Sequence, residues 1–176
     1  MNWLLMRPTC SVPALEAAWA FARRYRVPMQ IDLVHYSLPY FTEGLDRELQ
    51  FRAEDRPRIQ EVVDRLLELR QEDPTLIDNS AIGIRSIPDW LVLGAGMRVP
   101  CDKYRMVWVG ADGTVQLCYV TFKLGNLHER RLRDLLYTEA HRQAARDAFA
   151  LRCPNCHCGY DERVRKDPRS RLKYGV

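Results

Sequence analysis

Five of the six cysteines in this 176-residue chain fall in its last 76 residues, at Cys101, Cys118, Cys153, Cys156 and Cys158, and this placement constrains the fold more than any other feature. Cys153-Pro154-Asn155-Cys156 reads as a tight turn whose two thiolates can face one metal centre. Upstream, strand candidates from Tyr104 to Val109 and from Thr114 to Val120 flank Gly110-Ala111-Asp112-Gly113, a loop whose glycines suit positive φ. A hairpin closed by that loop carries Cys118 back toward Cys101. Four sulfurs from two sequence-distant pairs suit either a tetrahedral zinc or a cubane iron–sulfur cluster, and spacing alone leaves both open. It also leaves open whether Cys156 or Cys158 is the fourth ligand, the other being a spare thiol or part of a second, incomplete site. His157, between them, is a nitrogen donor that could replace a thiolate at zinc. Cys10, alone beside a strand end, reads as a buried structural thiol.

Composition removes several classes. With 47% hydrophobic residues the chain can bury a real core, and its net charge of +4 is the small excess of 27 basic over 23 acidic residues. Such a balance needs no nucleic-acid partner. No apolar run reaches the roughly 18 residues of a membrane span, because Arg7, Arg23, Arg24 and Arg26 interrupt the apolar opening stretch. That stretch also lacks the pattern of a signal peptide. The expectation is a cytoplasmic protein with no membrane association, in a compartment where clustered cysteines hold metal rather than form disulfides.

Periodicity organises the rest. Asn2 to Met6 is apolar and ends at Arg7-Pro8, as a buried strand would. Ser11 can cap a helix with Pro13 in its first turn, and Leu15, Ala18, Trp19, Ala22 and Tyr25 follow at helical spacing. Val27 to Tyr36 reads as a second strand, which makes one βαβ unit with parallel strands and a right-handed crossover. After a loop with Pro39 and Gly44, Ile59, Val62, Val63, Leu66 and Leu67 form the apolar stripe of a helix from Pro57 to Arg70, stopped by Pro74. Two strands cannot close a barrel, and an open parallel edge exposes unpaired backbone groups, so this α/β stretch reads as half of something larger. Gly94-Ala95-Gly96 reads as a hinge, and Leu132 to Leu136 and Glu139 to Phe149 as short helices. Trp19, Trp90 and Trp108 fit core positions, and Arg163 to Lys173 reads as a solvated, mobile tail.

The run Cys101, eleven residues, Gly113, four residues, Cys118 resembles the opening signature of the SPASM and twitch domains that follow the barrel in many radical S-adenosylmethionine (SAM) enzymes. Asp112 to Cys118 is similar to the family's hairpin. Leu124-Gly125-Asn126-Leu127-His128-Glu129, followed by Leu132, Leu135 and Leu136, is similar to its GN-x-x-E turn and helix, and Cys153-x-x-Cys156 to its closing pair of ligands. The resemblance is close over residues 97 to 160. No cysteine follows Cys158, so the short single-cluster twitch form is the better match to the pattern.

The resemblance implies an α/β fold in two parts: a partial βα barrel fragment over residues 1–92, then a small cysteine-rich α+β domain of a β-hairpin and short helices with a basic tail, over residues 93–176. It implies an auxiliary 4Fe-4S cluster on Cys101, Cys118, Cys153 and Cys156 or Cys158. In relatives the barrel strand ends line the S-adenosyl-L-methionine pocket, which makes Arg7, Val34, His35 and Tyr36 candidate contacts; read from the residues alone, His35 is a ligand, a proton carrier or a hydrogen-bonded core residue. The family's radical-generating C-x3-C-x2-C loop is absent from this sequence, so the chain is not expected to cleave the cofactor by itself. The implied function is to aid substrate binding or electron transfer during radical modification of a peptide or small molecule, with an electron donor such as a flavodoxin or ferredoxin. The alternative is a zinc-binding structural or interaction module with no redox role.

Overall fold

The computed structural model describes residues 1–35, 48–118 and 122–175. Tyr36, the loop with Pro39 and Gly44, and the end of the strand expected to reach Val120 lie outside the described residues. Two compact units are present: Met1–Met97 together with Cys156–Val176, and Arg98–Asn155. The compact units therefore do not follow a single cut near residue 92, because the C-terminal segment returns to pack with the first 97 residues.

In the first unit, β1 (Asn2–Leu5) and β2 (Gln30–Leu33) pair in parallel, Trp3 opposite Ile31 and Leu5 opposite Leu33. Side chains alternate across a strand, so those four residues share one face, and all four are buried. The crossover is α1 (Val12–Tyr25), capped by Ser11, whose hydroxyl accepts from the Ala14 N–H at 3.3 Å. Leu15, Trp19 and Ala22 form its buried stripe. Helix α2 (Arg56–Glu72) buries Ile59, Val62, Val63, Leu66 and Leu69.

A further helix, α3 (Ala81–Leu93), departs from the sequence expectation, which placed nothing regular between Pro74 and Gly94. Pro88 lies inside it and cannot donate to the turn before it, a local penalty of about 3 kcal/mol. Burial outweighs that cost, because Ile84, Ile87, Trp90 and Leu91 are each at most 1% exposed. The tail is the second departure. Instead of a mobile terminus it forms α6 (Tyr160–Lys166) and α7 (Pro168–Tyr174), both packed on α3. Arg163 is only 2% exposed, with its guanidinium carbon 4.7 Å from the centre of the Trp90 ring. Asp161 accepts from both the N–H (2.8 Å) and the hydroxyl (2.6 Å) of Ser80, the cap of α3.

The second unit holds an antiparallel sheet in the order β3 (Val107–Val109), β4 (Thr114–Leu117), β5 (Phe122–Asn126). The hairpin expected around Gly110 to Gly113 is present. The segment from Lys103 to Arg105 is a short 3-10 turn rather than strand, and Gly125-Asn126 ends a third strand. Trp108 is 38% exposed on β3 and is not a core residue. Helices α4 (Leu132–Leu135) and α5 (Glu139–Phe149) follow, with Leu135, Ala144 and Ala148 buried. Among the described residues, no helix is long and apolar enough to cross a membrane.

Candidate metal centre

The residues that give the hairpin its recognisable spacing have structural work to do. Asp112 folds the turn by accepting from the Thr114 N–H (3.0 Å) and hydroxyl (2.7 Å). Asn126 closes it, donating to the Asp112 carbonyl at 2.9 Å and accepting from the His128 N–H at 2.8 Å. Gly113 has φ 77°, and a Cβ there would sit 2.8 Å from Asn126 Oδ1. The clamp fixes β4, the strand that delivers Cys118, itself at φ 57°. Gly125 serves packing: a Cβ on it would lie 2.6 Å from Leu135 Cδ2, so its hydrogen lets α4 approach β5.

All six cysteines are thiols. Cys10 is 1% exposed, and burial pushes its thiol up to about 11, as an inert structural thiol requires. The five candidate ligands divide between the units: Cys101, Cys118 and Cys153 lie in the second, Cys156 and Cys158 in the first. Within the Cys153 to Cys156 turn, Asn155 has φ 53°, the left-handed backbone that a tight turn demands.

Within the first unit, Cys156, Cys158 and His35 form one group whose candidate ligand atoms all lie within 4.8 Å of one another. Cys158 Sγ is 3.9 Å from His35 Nδ1. Hydrogen bonding by Cys158 draws the Cys156 thiol down to about 4; burial opposes the shift and His35 adds to it. A thiol so poised is thiolate at neutral pH, the form that binds metal.

The surrounding groups are joined by hydrogen bonds. His35 follows directly on Val34, whose N–H extends the parallel ladder to the Leu5 carbonyl at 3.2 Å. The Val34 carbonyl faces His157 Nδ1 at 3.0 Å, and since a carbonyl only accepts, Nδ1 carries the proton. His157 is buried with its ring edge-on to Trp90, and burial pulls its pKa down to about 4, so it is neutral. Arg163 donates to the Cys156 carbonyl at 2.8 Å. The histidine gathered with the two thiols is His35, not His157, whose Nδ1 faces the Val34 carbonyl. No local pattern announces this grouping, because His35 and Cys158 are 123 positions apart. Of the other strand-end candidates, Arg7 stands in the 3-10 turn after β1 and pairs with Asp55 at 3.3 Å.

The comparisons with known proteins agree with this chemistry. Residues 101–158 match the family model of SPASM, an iron-sulfur cluster-binding domain. No curated protein matches the chain. Among solved structures, the chain is similar to hexahistidine-tagged anSMEcpe with bound AdoMet (TM-score 0.54, 17% identity, 84% of this chain and 39% of that one). It is also similar to native anSMEcpe with bound AdoMet (TM-score 0.51, 17% identity, 84% of this chain and 41% of that one). With the Cp18Cys peptide also bound, the native protein matches 99% of this chain and 46% of its own (TM-score 0.53, 17% identity). The chain thus spans less than half the length of the structures it matches, and at that identity the likeness is one of fold. Residues 101–158 thus match the SPASM iron-sulfur cluster-binding domain, and the fold of the chain is similar to part of anSMEcpe.

Proposed function

We propose that this chain is the auxiliary 4Fe-4S cluster-binding part of a radical SAM enzyme. The observation that carries the reading is the match of residues 101–158 to an iron-sulfur cluster-binding domain whose cysteines are all present as thiols. Its thiolates are drawn from Cys101, Cys118 and Cys153 and from the Cys156–Cys158 pair. Cysteine thiolates are the donors such clusters take, so the donor set fits the group. A bound cluster supplies a site that accepts or passes one electron. The chain's own part is to hold the donors in place: the Asp112–Asn126 clamp orients β4 ahead of Cys118, and Arg163 holds the backbone at Cys156.

The β1–α1–β2 unit supports reading residues 1–92 as the last strands of a partial βα barrel. In the whole enzyme Arg7 and Val34, at the two strand ends, would border the S-adenosyl-L-methionine pocket, and the substrate would be a peptide or small molecule. A flavodoxin or ferredoxin is the class of electron donor such a centre would use. Anaerobic reconstitution with iron and sulfide tests the reading: the expected product is brown, with broad visible absorption from sulfur-to-iron charge transfer. A colourless protein carrying only zinc would overturn it in favour of a structural metal module.

A further inference from the structure

We propose that the open edge of the second unit's sheet binds an extended peptide as an added strand, with a carboxylate of that peptide held in a basic cavity beside it. The inference rests on the functional reading above and selects the peptide from its two substrate classes. Strand β3 lies at the edge of the sheet, and among the described residues it pairs with β4 alone. Its ladder has a fixed phase. The Met106 carbonyl accepts from the Cys118 N–H at 3.1 Å, Trp108 stands opposite Gln116, and the Gly110 N–H donates to the Thr114 carbonyl at 2.8 Å. Residues of an antiparallel pair alternate between bonding the partner strand and facing away from it, so the N–H and C=O groups of Val107 and Val109 point outward. Natural edges are ordinarily blunted by charge, proline or a bulge. Met106-Val107-Trp108-Val109 carries neither charge nor proline, and its four residues are 38% to 50% exposed.

A cavity of about 350 Å³ lies at the N-terminal end of this edge, where Val107 lines it together with Tyr104, Arg105, Tyr137, His141 and Arg142. That size, at the lower end of ligand pockets, suits one or two side chains rather than a whole cofactor. Its charge is of one sign, since no acidic side chain lines it. Arg142 also pairs with Glu139 at 3.0 Å, so Arg105 is the guanidinium best placed to take a carboxylate. His141 Nδ1 accepts from the Tyr137 N–H at 2.8 Å, which puts the ring's proton on Nε2 as a second donor. Arg142 donates to the Tyr137 carbonyl at 2.7 Å, and these two contacts hold Tyr137 at φ 60° as a 79% exposed aromatic at the rim. A peptide running antiparallel to β3 brings its C-terminal end, and with it the terminal carboxylate or a neighbouring acidic side chain, to Arg105 and His141. Backbone bonds to Val107 and Val109 supply affinity in such strand addition, and the cavity supplies selectivity.

The test uses the full chain under anaerobic, reducing conditions and a fluorescein-labelled alternating Val-Thr peptide ending in glutamate, followed by fluorescence anisotropy. Saturable binding is expected. N-methylation of one alternate set of peptide residues, the set facing β3, should abolish it, while methylation of the other set should leave it intact. The probe carries this change, so no variant needs to fold. Arg105→Gln, at an exposed position in the 3-10 turn before β3, should weaken binding about tenfold or more, the loss expected for a charge-assisted bond. Peptides with a terminal amide, or with glutamine for glutamate, show which carboxylate is held. No saturable binding, equal loss from both methylation patterns, full affinity in Arg105→Gln, or full affinity for a peptide lacking both carboxylates would overturn the proposal. So would a concentration-dependent dimer that competes with the peptide, which would assign the edge to a second copy of this chain. Iron and sulfide content after reconstitution reports on the cluster independently. Peptide binding without a cluster sinks the functional reading alone; a cluster in a chain that binds no peptide sinks this inference alone.

Discussion

The hydroxyl of Tyr160 accepts from Asn79 Nδ2 at 2.9 Å, joining side chains that are 81 positions apart in sequence. The same hydroxyl donates to the Ile31 carbonyl at 3.1 Å, while Asn79 accepts from the Ile31 N–H at 2.7 Å. Both groups satisfy the backbone at the middle of β2, so the returning helix α6 is tied to the sheet by polar as well as apolar contact. Tyr160→Phe leaves Asn79 and the Ile31 carbonyl each one partner short in a buried site, which should cost about 1–3 kcal/mol. The expected result is a lower denaturant midpoint with an unchanged slope, and faster hydrogen exchange in β2 and α6.

Asp89 on α3 receives hydrogen bonds from Lys173 (2.7 Å), the Tyr174 hydroxyl (2.6 Å) and Arg56. Burial pushes its carboxyl up, but these donors together bring it down to about 2 from the ordinary 3.8. A carboxyl with a depressed folded-state pKa stabilises the fold above the unfolded value, and the contribution disappears as the pH falls through the folded one. Asp89 therefore strengthens the fold fully well above pH 3.8 and ceases to do so below about pH 2. Asp89→Asn should cost about 2 kcal/mol at neutral pH, within the range of hydrogen bonds to charged groups. Chemical denaturation at neutral pH and again near pH 2 should show a gap between the two proteins that narrows in acid.

The parts of this fold that were legible in the sequence are those whose signals are local. Ser11 and Pro13 announce α1, the spacing of Ile59, Val62, Val63 and Leu66 announces α2, and Gly113 announces the hairpin. What was hidden depends on distant burial. Pro88 argues against a helix that the surrounding core imposes, and the arginines of the tail argue for solvent until Arg163 is seen over Trp90. The cysteines were visible as donors, but His35 joins them through a contact spanning 123 positions that no spacing rule encodes.

Gly125→Ala tests the division into units. The new methyl group would meet the Leu135 side chain at 2.6 Å on a backbone with φ 155°, so it strains both packing and conformation. The cost should exceed about 1 kcal/mol. Hydrogen exchange should show protection lost across residues 98–155 and retained in β1, β2 and α3. Equal loss in both units would mean that they unfold as one.

The central claim, that residues 101–158 hold an iron–sulfur cluster, is tested most directly by measuring iron and acid-labile sulfide per chain after anaerobic reconstitution, in the unaltered protein and in Cys118→Ala. The account predicts iron and sulfide in nearly equal amounts, close to one 4Fe-4S cluster per chain, and a loss of most of both in the variant. Iron without sulfide, or a full complement of both in a folded Cys118→Ala protein, would contradict it.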